Sequence, residues 1–246
     1  MGADTVKLGG IVATADPRDR NFKKILKLHH KASPHFRGIR KMASFHEDKA
    51  IHAWTDEPHL YRNKKFLKGF EVLSQYNLSF DAWVYSTQLE DVIYLAKQFP
   101  ETSIVLDHLG TPAGLFGPIG ANTGMTQTAR ENIPFRWKDD LAELASCPNV
   151  YTKMSGLFMP VLGHRFHKEG RLASKQEVFD LAHPMITHAL ACFGTYRVMF
   201  ASNFPMDSVS TSLINIIDAL SDVVAAYDPD ALKRVFHHHA KQFYRL

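Results

Sequence analysis

Four sets of polar residues stand where short apolar runs end. Arg40 follows Phe36-Arg37-Gly38-Ile39; Asp107 and His108 follow Ile104-Val105-Leu106; Lys153 lies inside Val150-Tyr151-Thr152-Lys153-Met154; Asn203 and Asp207 follow Met199-Phe200-Ala201-Ser202. These side chains bind anions, position or move protons, and stabilise developing negative charge. Each also has a purely structural role open to it. His108, close to Gly110, can hydrogen-bond a loop, Arg40 can pair with a carboxylate, and Lys153 can be an edge or layer residue. Their shared placement at strand ends favours chemistry for the set.

The elements that must position them alternate along the chain. Apolar runs at 8–13, 36–42, 79–84, 103–107, 150–154 and 197–201 read as strands. Between them, Phe66, Phe70 and Leu73, then Leu89, Ile93, Ala96 and Phe99, then Val178, Leu181, Met185 and Ala189 recur at helical spacing. Helical segments starting near Thr211 and Ala231 end the chain. This is the pattern of βα units feeding a parallel sheet, whose carboxyl-end loops build the site. Two long segments leave strands directly, 108–136 and 156–174, and substrate contacts are expected there. With no repeat or Pro-rich linker, residues 1–246 read as a single domain.

Composition narrows the function classes. Of 246 residues, 45% are hydrophobic and 22% charged, enough apolar material for a sizeable core. Lys and Arg total 29 against 25 Asp and Glu, a net +4 scattered along the chain, which disfavours nucleic acid as a partner. Two cysteines cannot form a disulfide framework, so a reducing, cytoplasmic compartment is expected. The longest uncharged stretch, 109–129, is broken by Gly110, Pro112, Gly114, Gly117, Pro118 and Gly120, among others, and cannot span a membrane. No membrane partner is expected.

Three blocks carry a resemblance: Val-Leu-Asp-His-Leu-Gly-Thr-Pro at 105–112, Asn-Val-Tyr-Thr-Lys-Met-Ser-Gly-Leu at 149–157, and Arg-Val-Met-Phe-Ala-Ser-Asn-Phe-Pro at 197–205 followed by Asp207. With the closing Phe-Tyr-Arg-Leu, their order and spacing resemble the amidohydrolase-related TIM-barrel hydrolases that include 2-pyrone-4,6-dicarboxylate lactonase and L-fuconolactonase. The resemblance implies a (β/α)8 barrel, with His108 at the end of the family's sixth strand and position 203 at the end of its eighth, both facing substrate. Such family members carry an acid at position 203 that activates water, whereas this chain has Asn203. An amide cannot take up that proton. Asp207 is the local carboxylate that could substitute, and its competing role is to cap the segment beginning at Ser208.

Family members also open with a strand ending in His-x-His, followed by a second strand; neither is recognised here. The barrel is therefore expected to be amino-terminally shortened, with six recognisable strands. The His237-His238-His239 run lies in a helical pattern and cannot replace that pair. No bound metal or other cofactor is expected, although the family admits a divalent metal. The open barrel edges make self-association an expectation.

Two functions follow. One is a hydrolase acting on a small anionic lactone or related cyclic ester as its small-molecule substrate. In it Arg40 holds a carboxylate, His108 polarises or positions the carbonyl, Lys153 supports the oxyanion, Asn203 orients substrate or water, and Asp207 is the replacement base. The other is a catalytically degenerate relative that binds a small molecule or partner without turnover. Decarboxylases of the same superfamily share the barrel but lean more heavily on a metal.

Overall fold

The computed structural model describes residues 8–120 and 123–246. Among these described residues six parallel strands form one sheet in chain order: β1 (Ile11–Thr14), β2 (Phe36–Met42), β3 (Ser79–Trp83), β4 (Ile104–Leu106), β5 (Val150–Met154) and β6 (Val198–Phe200). Helices α1 (Phe22–Ala32), α2 (Lys64–Gln75), α3 (Leu89–Gln98), α4 (Gln127–Ala145), α5 (Lys175–Phe193) and α6 (Leu213–Tyr227) follow the strands in turn. A π-helical turn, Arg234–His238, then leads into α7 (His239–Tyr244). Each strand pairs only with its sequence neighbours, and β1 and β6 do not meet. The sheet is an opened barrel with six strands, as the sequence implies.

Strand alternation sorts side chains into two layers. Phe80 of β3 and Val150 and Met154 of β5 join the buried layer under the helices, where Phe80 meets Phe70 at 4.9 Å between ring centroids. Tyr151 faces the other way and packs with Val105, Met199 and Phe243 inside the lumen. Arg40 of β2, Asp81 of β3 and Lys153 of β5 share this inner face, with Arg40 in register with Asp81 and Lys153 bonded to it. Helix starts are fixed by local chemistry. Asn63 caps α2, Thr126 caps α4, and Ser174 with Glu177 forms a reciprocal capping box on α5.

The carboxyl-terminal turn spans the underside of the lumen. Phe243 packs on Met199 of β6, the Tyr244 hydroxyl donates to Asp81 at 2.8 Å, and Leu246 lies against Gly10 just before β1. The wedge left by the sequence reading is thus partly filled. A cavity of about 320 Å³ remains beside β1, lined by Val12, Arg40, Asp81, Lys153 and Tyr244 among others.

One expectation is corrected. The loop placed at 108–136 ends at Thr126, where α4 begins. Pro134 inside that helix and the Gly-rich stretch before it hid the helical pattern. The segment 156–174 is a long connection, as expected, interrupted by one 3-10 turn at Pro160–Leu162. A third long connection, 43–63, joins β2 to α2 and was not anticipated. No described helix is long and apolar enough to cross a membrane.

Candidate active site

The strand ends converge on a buried ionic cluster. Lys153 Nζ lies 2.5 Å from Asp81 and 2.9 Å from Asp107, and Arg40 Nε lies 2.9 Å from the other oxygen of Asp107. Both carboxylates are almost fully buried. Two cations face two anions, so the cluster is balanced. Burial pushes Asp107 up, but Lys153, His108 and Arg40 outweigh it and hold its carboxyl below the ordinary value. Asp81 is pushed upward because burial, with Asp107 nearby, outweighs Lys153. Lys153 is buried too, but the two carboxylates hold it charged, well above its usual range.

His108 sits over this cluster on an unusual backbone. His108, Leu109 and Thr111 have φ of 58°, 50° and 40°, three residues other than glycine in the left-handed region. Such conformations cost energy and persist only where neighbours enforce them. Here Trp137 Nε1 donates to the Leu109 carbonyl at 2.7 Å and Trp83 Nε1 donates to Thr111 Oγ1 at 2.9 Å. The His108 ring is fixed by Ser155 Oγ, 2.8 Å from Nδ1, and by Arg40, whose Nη2 is 3.4 Å from Nε2. A guanidinium is donor-only, so Nε2 is the acceptor and Nδ1 carries the proton. Burial, then Arg40 and Lys153, drive the imidazole pKa down to about 4, against the pull of Asp107. The ring is therefore neutral at physiological pH.

Gly156 makes room for that ring. Its φ is +65°, and a Cβ there would lie 2.6 Å from His108 Cγ. Gly156→Ala is expected to displace His108 and cost about 1–3 kcal/mol in stability, read by urea denaturation; unchanged stability would show that the ring is free to move.

Asn203 and Asp207 form a separate pair. Asn203, also left-handed at φ 55°, donates from Nδ2 to Asp207 Oδ1 at 2.7 Å. The Phe158 backbone N–H donates to Oδ2 at 3.3 Å, so Asp207 ties the loop after β5 to the loop after β6. With both oxygens engaged, the carboxyl is placed as a loop tether. Burial, only partly offset by those two donors, lifts its pKa to about 7.

These two groups tilt stability in opposite directions. A native Asp207 at about 7, against 3.8 unfolded, holds its proton longer in the native state, so its contribution falls as pH rises from 4 to 7. A native His108 at about 4, against 6.5 unfolded, takes up its proton later, so its contribution rises from 4 to 6.5. Relative to the parent, Asp207→Asn is expected to gain stability with rising pH and His108→Asn to lose it. Each slope reaches about 1.4 kcal/mol per pH unit at most. Urea denaturation from pH 4.5 to 8 checks both signs.

Arg40, His108 and Lys153 therefore meet as the sequence predicts, and Asn203 meets Asp207 instead. Two members of the cluster were not singled out, Asp81 and the Tyr244 hydroxyl. A lone acid inside the apolar run Ser79-Phe80-Asp81-Ala82-Trp83 was the available signal, since buried acids are rare without partners. Above the cluster, the ends of the loops 43–63, 107–126 and 155–174 enclose a larger cavity of about 460 Å³. Trp83 lines it and also packs edge-on against His108, at 5.9 Å between ring centroids.

The amidohydrolase family pattern matches residues 7–246. The chain is 31% identical to the uncharacterized protein y4mH of Sinorhizobium fredii over 96% of its own length and 70% of that protein's. It is 28% identical to an L-fucono-1,5-lactonase of Burkholderia ambifaria, covering 87% of this chain but only 62% of the lactonase. A crystal structure of a zinc-bound amidohydrolase from Burkholderia multivorans superposes with a TM-score of 0.76 at 20% identity, covering 97% of this chain and 74% of that one. A metal does not fit the donors described here. His108 Nε2 faces a guanidinium and Nδ1 a serine, and no three His, Cys, Asp or Glu side chains among the described residues are grouped to hold an ion. Strand order, the strand-end His108 and the match across 7–246 agree, and the chain belongs to the amidohydrolase family.

Proposed function

We propose that the chain is a lactonase-type hydrolase acting on a small anionic lactone or related cyclic ester, with water as nucleophile. The observation that carries this reading is His108: a neutral, buried imidazole on a strained turn, oriented by Ser155 and placed against Arg40. Strain of this kind concentrates at functional sites. The Arg40 side chain stays about one-third exposed beside Asp107 and is the group that receives a substrate carboxylate. His108 positions the ester carbonyl, Lys153 supplies positive potential towards the developing oxyanion, and Asn203 orients substrate or water. Asp207, bound on both oxygens, keeps Asn203 in place.

The second reading, binding without turnover, is favoured by the amide at position 203. The two differ in what Arg40→Lys does. This change keeps the charge beside Asp107 but removes the planar fork. For a hydrolase of anionic lactones, KM for a carboxylated lactone rises about tenfold while KM for its neutral methyl ester stays fixed. Equal KM changes for both compounds would remove Arg40 from the substrate site, and absence of turnover on any lactone would favour the binding protein.

A further inference from the structure

Helix α4 enters the core at one large side chain. Its amino-terminal half lies at or near the surface, and Trp137 is the first of its buried residues, followed by Leu141, Leu144 and Ala145 at helical spacing. The indole is held from α5, where the His188 ring lies 5.4 Å away between centroids and its Nε2 donates to the Lys138 carbonyl at 3.0 Å. Trp137 Nε1 meets the turn that carries His108, donating to the Leu109 carbonyl at 2.7 Å.

That carbonyl lacks a local donor. Within the turn, Thr111 N–H closes on the His108 carbonyl, three residues back, at 2.9 Å. The equivalent donor for Leu109 would be Pro112, which has no N–H. Leu109 is fully buried, and an unpaired carbonyl there is costly. The four consecutive residues 108–111 have φ of 58°, 50°, 73° and 40°, a run that residues other than glycine resist. The donor from α4 thus replaces the missing bond and stabilises a backbone that would otherwise relax.

Trp137 is set apart from substrate. It does not line the cavity of about 460 Å³ above the ionic cluster, but a separate one of about 430 Å³ that it shares with Arg136 and Asp140. Its influence on the site runs through the turn.

We propose that Trp137 is a positioning residue, whose indole N–H fixes the left-handed turn and with it the place of the His108 ring against Arg40 and Ser155. This rests on the hydrolase reading above for its effect on turnover, but not for its effect on the ring.

The test removes the N–H in two ways: Trp137→Phe, and β-(3-benzothienyl)alanine at position 137, which keeps the indole shape with sulfur in place of N–H. Leu141→Ala, one turn on in α4, is the packing control, and circular dichroism checks each fold. Long-range 1H–15N NMR follows the His108 imidazole, assigned by its loss in His108→Asn. The charged groups facing this ring are Asp107, Arg40 and Lys153, and in the parent it titrates at about 4. Both Trp137 replacements should let water reach the ring, raising its midpoint towards 6.5 and mixing its tautomers. For coumarin-3-carboxylate, a lactone that carries a carboxylate, kcat should fall about 10-fold to 100-fold with KM changed by less than about twofold. Leu141→Ala should leave the ring and kcat as they are. An unmoved imidazole in both replacements, an equal effect of Leu141→Ala, or a displaced imidazole with turnover unchanged would overturn the assignment. A displaced imidazole in a chain that turns over no lactone would uphold the hold on His108 and count against the hydrolase reading instead.

Discussion

Lys153→Met is expected to lower the unfolding free energy by about 3–5 kcal/mol at pH 8, because it leaves Asp81 and Asp107 buried with Arg40 as their remaining close cation. Methionine fills the space of the lysine stem, so the loss comes from charge rather than from a cavity. Asp81, already pushed up by burial, would then take a proton in the native state. A carboxyl with a raised native pKa destabilises the fold as pH rises, so the deficit should shrink towards pH 5. Lys153→Met/Asp81→Asn removes the anion together with its cation, and should recover about 1–3 kcal/mol of the loss. Urea denaturation of the four proteins forms the cycle. A deficit under 1 kcal/mol, independent of pH, would mean that water reaches the cluster and screens it.

The strands were legible because each is a short apolar run bounded by polar residues, and β2 and β5 fall at the residues expected. Helices α2, α3 and α5 announced themselves through apolar residues at helical spacing, matched by buried Phe66, Phe70 and Leu73 in α2. Helix α1 did not. Only Phe22 and Leu26 are buried in a stretch otherwise full of Lys and His, too thin a stripe to stand out. The site was half legible. Strand-end placement found Arg40, His108 and Lys153, whereas Asp81 lies within its strand and reaches the cluster only because alternation turns it inward. The lining of the larger cavity was invisible for another reason: irregular loops carry no period from which a side chain's direction can be read.

The same reasoning separates position 203 from position 207. The sequence offers Asp207 as a substitute base, and the geometry spends both of its oxygens on Asn203 and Phe158. The nearest route to a working base is therefore to exchange the pair. Asn203→Asp alone would set two carboxyls at the 2.7 Å spacing of the present hydrogen bond, where they share one proton. Asn203→Asp/Asp207→Asn instead preserves one acid and one amide, and moves the acid to the end of β6. Aspartate tolerates the left-handed backbone at 203.

Hydrolysis of coumarin-3-carboxylate by the exchange variant, measured by pH-stat beside the parent and the same variant carrying His108→Asn, tests most directly whether His108 and position 203 form a hydrolytic site. Parental turnover should be weak, the exchange should raise kcat by about 10²-fold or more, and His108→Asn should abolish that gain with the fold intact by circular dichroism. Strong parental turnover, unchanged by the exchange and by His108→Asn, would place the chemistry elsewhere in the chain.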